Sequence, residues 1–173
     1  MKSLVWLRAD LRLEDNPALK EACLKHEEVH AVYIFSKNQL ASHNEANVKI
    51  DFIVKNLFLL EKSLSKLNIP LTILQSDGFQ EDPKLIQNIS LKRNIDKVYW
   101  NKQFGEDESN RDSIAIELLE KGNIKVEFFY ESVVYEPGSL KTGQGTPYSV
   151  FTPFKRKWIE NFEMDFLDID FKY

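Results

Sequence analysis

The sequence has 173 residues, of which 43% are hydrophobic and 29% are charged, and it contains one cysteine. This composition is typical of a globular domain with a full core, and it excludes collagen-like, wholly disordered and disulfide-stapled chains. The 23 basic and 27 acidic side chains leave a formal net charge of −4, which disfavours a domain that binds nucleic-acid phosphates by itself.

Strands and helices are predicted to alternate from the N-terminus. Short apolar or β-branched runs predict strands at 3–7, 29–35, 71–74, 98–100 and 124–130. Between them, Pro17 and Pro83 each suit the start of a helix, and Gly122-Asn123 suits the end of a fourth one. Apolar side chains at three- and four-residue spacing predict a long second helix, namely Ile50, Ile53, Leu57, Leu60, Leu64 and Leu67. This order predicts a Rossmann-like α/β fold, a five-stranded parallel sheet with helices on both faces.

The pattern changes after residue 131. Residues 136–148 contain three of the six glycines and two of the six prolines, which indicates an extended connector. Residues 150–161 predict the start of another element. We therefore expect an α/β domain at 1–131, followed at 132–173 by a connector and the beginning of a second domain.

Several common functional motifs are absent from the sequence. No GxGxxG follows the first strand, and neither GxxxxGK[ST] nor GxSxG occurs, so a dinucleotide fingerprint, a P-loop and a nucleophile elbow are unsupported. The three histidines have no ligand spacing, and no metal site is expected. No signal peptide or membrane span is predicted, which favours a reducing cytoplasm, where Cys23 would be a small buried or half-exposed thiol.

Four segments carry a specific resemblance to a known family. They are LVWLRADLRLEDNPAL at 4–19, LASHN at 40–44, NKQFGEDESNRD at 101–112 and TPYSVFTPFKRKW at 146–158. Together they resemble the N-terminal half of DNA photolyases in the photolyase/cryptochrome family. The similarity is greatest to the enzymes for cyclobutane pyrimidine dimers that carry a folate antenna.

The resemblance implies a division of labour between two domains. The α/β domain would hold a light-harvesting chromophore, and a large helical domain would bind FAD and damaged DNA, where the excited flavin splits the dimer. We expect that helical domain to lie beyond these residues. The 173 residues would then contain no catalytic residue and be inactive alone, and they would meet DNA only through their own helical domain.

The resemblance also implies the residues of the antenna site. The first contacts would be His43 and Asn44 after the second strand, and the next would be Asp107 and Glu108 after the fourth. The expected ligand is 5,10-methenyltetrahydrofolate. Asp107 stands where the family pattern has an amide, so it can accept a hydrogen bond from the pterin but cannot donate one.

A second pocket is the alternative for a flavin or deazaflavin antenna. Ligands of doubly wound sheets often bind at the carboxyl ends of the strands, which here carry Arg8, Asp10, Phe35 and Ser36. The simpler reading of Arg8 and Asp10, together with Arg12, is an ion-pair network that braces the first loop.

Two other functions remain open at this stage. The parent protein could be a cryptochrome-type blue-light photoreceptor with the same α/β domain. The chain could also be a stand-alone nucleotide-binding α/β protein, although the absence of a glycine-rich phosphate loop argues against that reading.

Overall fold

The structure is a computed structural model that describes residues 1–36, 38 and 45–162. The described elements alternate in chain order as β1 (Lys2–Leu7), α1 (Pro17–Lys25), β2 (Glu28–Ser36), α2 (Asn47–Lys66), β3 (Leu71–Ser76), α3 (Asp82–Lys92), β4 (Lys97–Asn101), α4 (Glu106–Lys121), β5 (Lys125–Phe129) and α5 (Phe151–Glu160). The chain divides into two compact units, Met1–Phe129 and Tyr130–Tyr173.

The first unit is a five-stranded sheet in the order β3-β2-β1-β4-β5, and every neighbouring pair is parallel. The predicted α/β fold class is confirmed. The chain builds outward from β1 through β2 to β3, and then crosses back to place β4 on the other side of β1. The sheet therefore has its topological switch point between β1 and β4, where ligands bind in many folds of this class.

Helices cover both faces of this sheet, because each strand alternates apolar side chains between the two faces. One core contains Leu4, Trp6, Val98 and Trp100 with the inner sides of α3 and α4. The other contains Val5, Leu7 and Tyr99 with the inner sides of α1 and α2. Trp6 and Trp100 are fully buried, as predicted, and their rings meet edge to face with centroids 5.8 Å apart.

Local signals explain how the first and fourth helices begin. The Asn16 side chain accepts a hydrogen bond from the Leu19 backbone N–H at 3.1 Å, and Pro17 occupies the first helical position. Helix α4 starts early, at Glu106, five positions after the last residue of β4. Three acidic residues in its first turn favour that early start through the helix dipole.

One detail of the sequence-based prediction is wrong. Leu67 lies just past the end of α2 and is 56% exposed, whereas Leu57, Leu60 and Leu64 of the same predicted stripe are buried. Cys23 lies on α1 and is exposed rather than buried, because Ala18, Leu19 and Ala22 form the inward face of that short helix.

The second unit contains a turn and one helix within its described part, residues 130–162. Lys141 and Pro147 form an antiparallel bridge, and Gly145 between them has a φ of 78°. Trp158 of α5 stacks on Phe162 at 5.1 Å, yet no residue of this helix is buried. Among the residues that the structure describes, no helix is long and apolar enough to cross a membrane.

Candidate functional site

A cleft of about 290 Å³ opens at the carboxyl ends of β1 and β2, beside the switch point. Its size lies at the small end of the range for ligand pockets. The lining combines aromatic rings with charged groups. It comes from segments spread along most of the first unit and includes Trp6, Arg8, Tyr33, Ser36, Glu45, Lys49, Phe52, Phe79, Asp82, Gln103, Glu108 and Arg111.

Arg8 follows β1 directly and forms the inner wall of the cleft. Its side chain is 4% exposed, and its Nη1 donates to a carboxylate oxygen of Asp112 at 2.8 Å. The guanidinium lies 4.1 Å from the ring centroid of Trp6 and 5.1 Å from that of Trp100. Its Nε and Nη2 are buried with no hydrogen-bond partner among the described residues. Burial and the neighbouring Arg111 lower the pKa of Arg8 to about 10, so it stays charged at neutral pH.

Arg111 completes a cationic pair on the same wall. Its Nε and Nη2 donate to the second carboxylate oxygen of Asp112 at 3.2 and 3.1 Å, and Nη2 also donates to Gln103 at 3.1 Å. The guanidinium lies 4.4 Å from the ring centroid of Phe79. Asp112 therefore binds two buried arginines at once, and this wall carries a surplus of positive charge and of N–H donors.

An acceptor group lies across the cleft at the start of α3. The carboxylate of Asp82 is 2% exposed and accepts hydrogen bonds from the hydroxyls of Ser36 and Ser76. Burial raises the pKa of Asp82, while those hydroxyls and the two arginines oppose the rise. Burial and the charge of Asp82 also raise the pKa of Tyr33 to about 12.

Glu108 stands at the N-terminal end of α4 and provides a second acceptor for the cleft. The walls thus offer donors from Arg8 and Arg111 and acceptors from Asp82 and Glu108, with aromatic faces between them. Such a lining suits a flat polar heterocycle that has both hydrogen-bond acceptors and N–H donors.

The predicted site residues fall into four groups, of which the last, Asp10 and Phe35, is described separately below. Arg8, Ser36 and Glu108 line the cleft, so the structure joins one residue of the predicted folate set to two of the alternative set. Asp107 lines a neighbouring surface depression, which shares Phe79 and Arg111 with the cleft. His43 and Asn44 lie outside the described residues.

Asp10 and Phe35 do not line the cleft. The carboxylate of Asp10 is 2% exposed and accepts from the Arg8 backbone N–H at 2.7 Å and from Asn101 Nδ2 at 2.6 Å. Asn101 also donates to Asn16, the residue that caps α1. This network fixes the loop after β1 and engages both carboxylate oxygens of Asp10. Phe35 packs edge to face on Tyr33, with centroids 6.4 Å apart.

Sequence reasoning missed Arg111 and the carboxylate of Asp112 that binds both arginines. Asp112 and Arg111 lie within the segment NKQFGEDESNRD, but Asp112 is 104 positions from its partner Arg8. Only the pairing of β1 with β4 brings them together. Among the described residues, no group of three or more His, Cys, Asp or Glu could hold a metal ion.

The fold and the cleft together define the class of this protein, a doubly wound α/β domain with a polar and aromatic cleft at its switch point. The family model for DNA photolyase matches residues 3–170, and the chain belongs to that family. It is 37% identical over 160 residues to the deoxyribodipyrimidine photo-lyase of Vibrio cholerae and 34% identical over 158 residues to that of Escherichia coli. These alignments cover 92% and 91% of this chain but only 34% and 33% of those enzymes.

Solved structures of related length ratio share the fold of this chain. A class III photolyase from Agrobacterium tumefaciens aligns with a TM-score of 0.70 and 26% identity, covering 94% of this chain and 32% of that one. A cryptochrome from Synechocystis aligns with a TM-score of 0.78 and 22% identity, covering 92% of this chain and 33% of that one, and it supports the fold alone. The chain therefore spans about a third of the length of its relatives.

Proposed function

We propose that this chain is the antenna-binding N-terminal part of a light-driven enzyme that splits cyclobutane pyrimidine dimers in DNA. The observation that carries the proposal is the cleft at the switch point of a photolyase-type α/β unit, where Arg8, Ser36 and Glu108 converge. FAD and damaged DNA would bind to a helical domain that lies beyond these residues. Two curated photolyases support that arrangement, because each is about three times as long as the matched region.

The first candidate ligand is 5,10-methenyltetrahydrofolate. Glu108 would accept from the N–H donors of the pterin, and bonds from such donors to a carboxylate are stronger than neutral ones. His43, Asn44 and Asp107 remain proposed contacts of the same ligand. None of these residues transfers a proton or forms a covalent bond, because an antenna chromophore supplies the light absorption and the protein fixes its place and orientation.

The second candidate is a flavin or deazaflavin seated inside the cleft. The specific observation that favours it is Arg8, whose buried Nε and Nη2 have no partner among the described residues. A ring carbonyl of the flavin that reached the wall formed by Arg8 and Arg111 would accept a hydrogen bond from Arg8 Nε or Nη2. A buried donor of this kind is costly to leave without a partner. An archaeal photolyase from Sulfolobus tokodaii, whose crystal structure contains two FAD molecules, shares the fold with a TM-score of 0.73 and 23% identity.

Equilibrium titration distinguishes the candidates. The purified 173-residue chain is mixed with methenyltetrahydrofolate, FMN or a deazaflavin, and chromophore absorbance and fluorescence are followed. Saturable binding of one chromophore with one-to-one stoichiometry supports the proposal and selects the class. Tight binding of ATP or AMP, with no affinity for any chromophore, would instead favour a stand-alone nucleotide-binding protein.

A further inference from the structure

Two tryptophans lie at the inner wall of the cleft, and both contact an arginine. Trp6 lines the cleft, and its indole meets that of Trp100 edge to face. The guanidinium of Arg8 lies 4.1 Å from the ring centroid of Trp6 and 5.1 Å from that of Trp100. The guanidinium of Arg111 lies 5.0 Å from the ring centroid of Trp6. Trp6 therefore has two cations within the range of a cation–π contact, which is about 6 Å.

The two cations are only partly neutralised. Asp112 binds both arginines, so the three side chains together keep one net positive charge. With a pKa of about 10, Arg8 keeps its charge at neutral pH. Burial of two guanidinium groups is costly, and Arg8 leaves Nε and Nη2 without a partner among the described residues. So costly an arrangement beside a cleft indicates a function other than packing.

An oxidisable ring is a hazard next to a light-harvesting chromophore. An excited flavin or pterin accepts an electron from a nearby indole, which leaves an indole radical cation and a chromophore reduced by one electron. The electron then returns, both partners are restored, and the excitation is lost as heat. An antenna with an unprotected tryptophan at its side would lose its excitation before passing it on.

We propose that Arg8 and Arg111 suppress this quenching by making the indoles of Trp6 and Trp100 difficult to oxidise. A positive charge on either indole would be repelled by the guanidinium groups beside it, and the repulsion is strong because the wall excludes water. The uncharged ground state of the indole is not opposed in this way. The inference rests on the proposed function, because it requires a chromophore in the cleft.

The fluorescence lifetime of the bound chromophore measures the quenching, and at saturation it does not depend on affinity. The chain is titrated with methenyltetrahydrofolate, FMN and a deazaflavin, and the chromophore that binds is used. Arg111→Met removes one charge, and the lifetime should become about threefold shorter because electron transfer from the indole is no longer opposed. Arg111→Lys is the matched control. It keeps the charge and should leave the lifetime within about 20% of that of the parent chain.

Substitution of the aromatic rings identifies the electron donor. In the Arg111→Met background, Trp6→Phe should restore the lifetime of the parent chain. Tyr33→Phe, which replaces another oxidisable ring of the cleft lining, should not restore it. In the parent chain, Trp6→Phe should leave the lifetime nearly unchanged, because the arginines already suppress the donor. This last comparison needs no arginine variant, so it holds even if Arg111→Met fails to fold.

Three results would overturn the inference while leaving the proposed function intact. They are a lifetime that lengthens about twofold in Trp6→Phe alone, an unchanged lifetime in Arg111→Met, and a shortening that Trp6→Phe does not reverse. If none of the three chromophores binds the parent chain, the proposed function fails, and this inference fails with it.

Discussion

At the scale of single residues, the arginine wall of the cleft is held by one carboxylate. Asp112 is 1% exposed and receives hydrogen bonds from Arg8 on one oxygen and from Arg111 on the other. Breaking a buried ion pair by removing one partner is costly, because the charge left behind has lost its solvation as well as its partner. The wall is therefore expected to contribute to folding as well as to ligand binding.

Replacement of Arg8 tests this structural part of its role. We expect Arg8→Met to lower the free energy of unfolding by about 3 kcal/mol, measured by urea denaturation. Arg12→Met is the matched control, because the Arg12 side chain is 40% exposed and pairs with an exposed Asp15, and it should cost less than about 1 kcal/mol. Equal effects of the two substitutions would contradict the account of the wall.

Replacement of Glu108 tests the proposed ligand contact. Glu108→Ala should weaken methenyltetrahydrofolate binding by about 1–3 kcal/mol, because pterin donors would be left unpaired. Glu106→Ala, in the same first turn of α4, should leave the affinity nearly unchanged, since Glu106 is exposed and does not line the cleft. Fluorescence titration measures both, and unchanged affinity in Glu108→Ala would remove that residue from the site.

Asp82 gives the cleft a pH dependence whose sign can be stated. Burial raises its pKa above the ordinary value of 3.8, so the folded state binds its proton more tightly than the unfolded state does. The stabilisation from this group is complete below the ordinary value and is lost as pH rises through the raised value. Relative to Asp82→Asn, the parent chain should lose stability as pH rises from below the ordinary value of 3.8 toward neutrality. Urea denaturation across that range checks it, and a pH-independent difference would contradict it.

The site was only partly predictable from sequence, for reasons visible in particular residues. Arg8 and Ser36 could be placed because they follow strands, and strands of a parallel sheet end at a common edge. Asp10 follows the same strand as Arg8, but its carboxylate turns inward to the Arg8 backbone and Asn101. Contacts between β1, α1 and β4 determine that orientation. No local pattern distinguishes that inward carboxylate from one that faces a ligand.

At the scale of elements, apolar spacing predicted the long helix because it buries one face, and short apolar runs predicted the strands because the sheet is covered on both faces. Helix α2 shows both the strength and the limit of that signal. Leu57, Leu60 and Leu64 face the core as predicted, whereas the outer face carries Phe52, Phe58 and Leu59, which are more than 60% exposed. Hydrophobicity alone does not separate the two groups, but their angular positions on the helix do.

Two leucines of α2 make a matched test of this assignment. Leu64→Ala should destabilise the chain by about 2–5 kcal/mol, because it leaves a cavity in a closely packed core. Leu59→Ala, on the exposed side of the same helix, should change stability by no more than about 0.5 kcal/mol. Thermal or urea unfolding of both variants measures the contrast. Similar losses would mean that the outer face of α2 is also buried in solution.

At the scale of the whole molecule, the 173 residues contain the cleft at the switch point and span about a third of the photolyases that they match. We expect that this chain, supplied with FAD and illuminated, does not repair cyclobutane dimers in an oligonucleotide. Recovery of pyrimidine absorbance is the readout, with a full-length photolyase as the positive control. Measurable repair would show that the flavin and DNA sites lie within these residues.

The footprint of the chromophore on the chain tests whether the cleft holds it. Amide and indole NMR resonances are followed while the labelled chain is titrated with whichever chromophore binds. We expect the largest chemical-shift changes at the cleft, with the Trp6 indole and the amides of Arg8, Ser36 and Glu108 moving together. Shifts confined to the opposite ends of the strands, around Lys97 and Asn123, would contradict it.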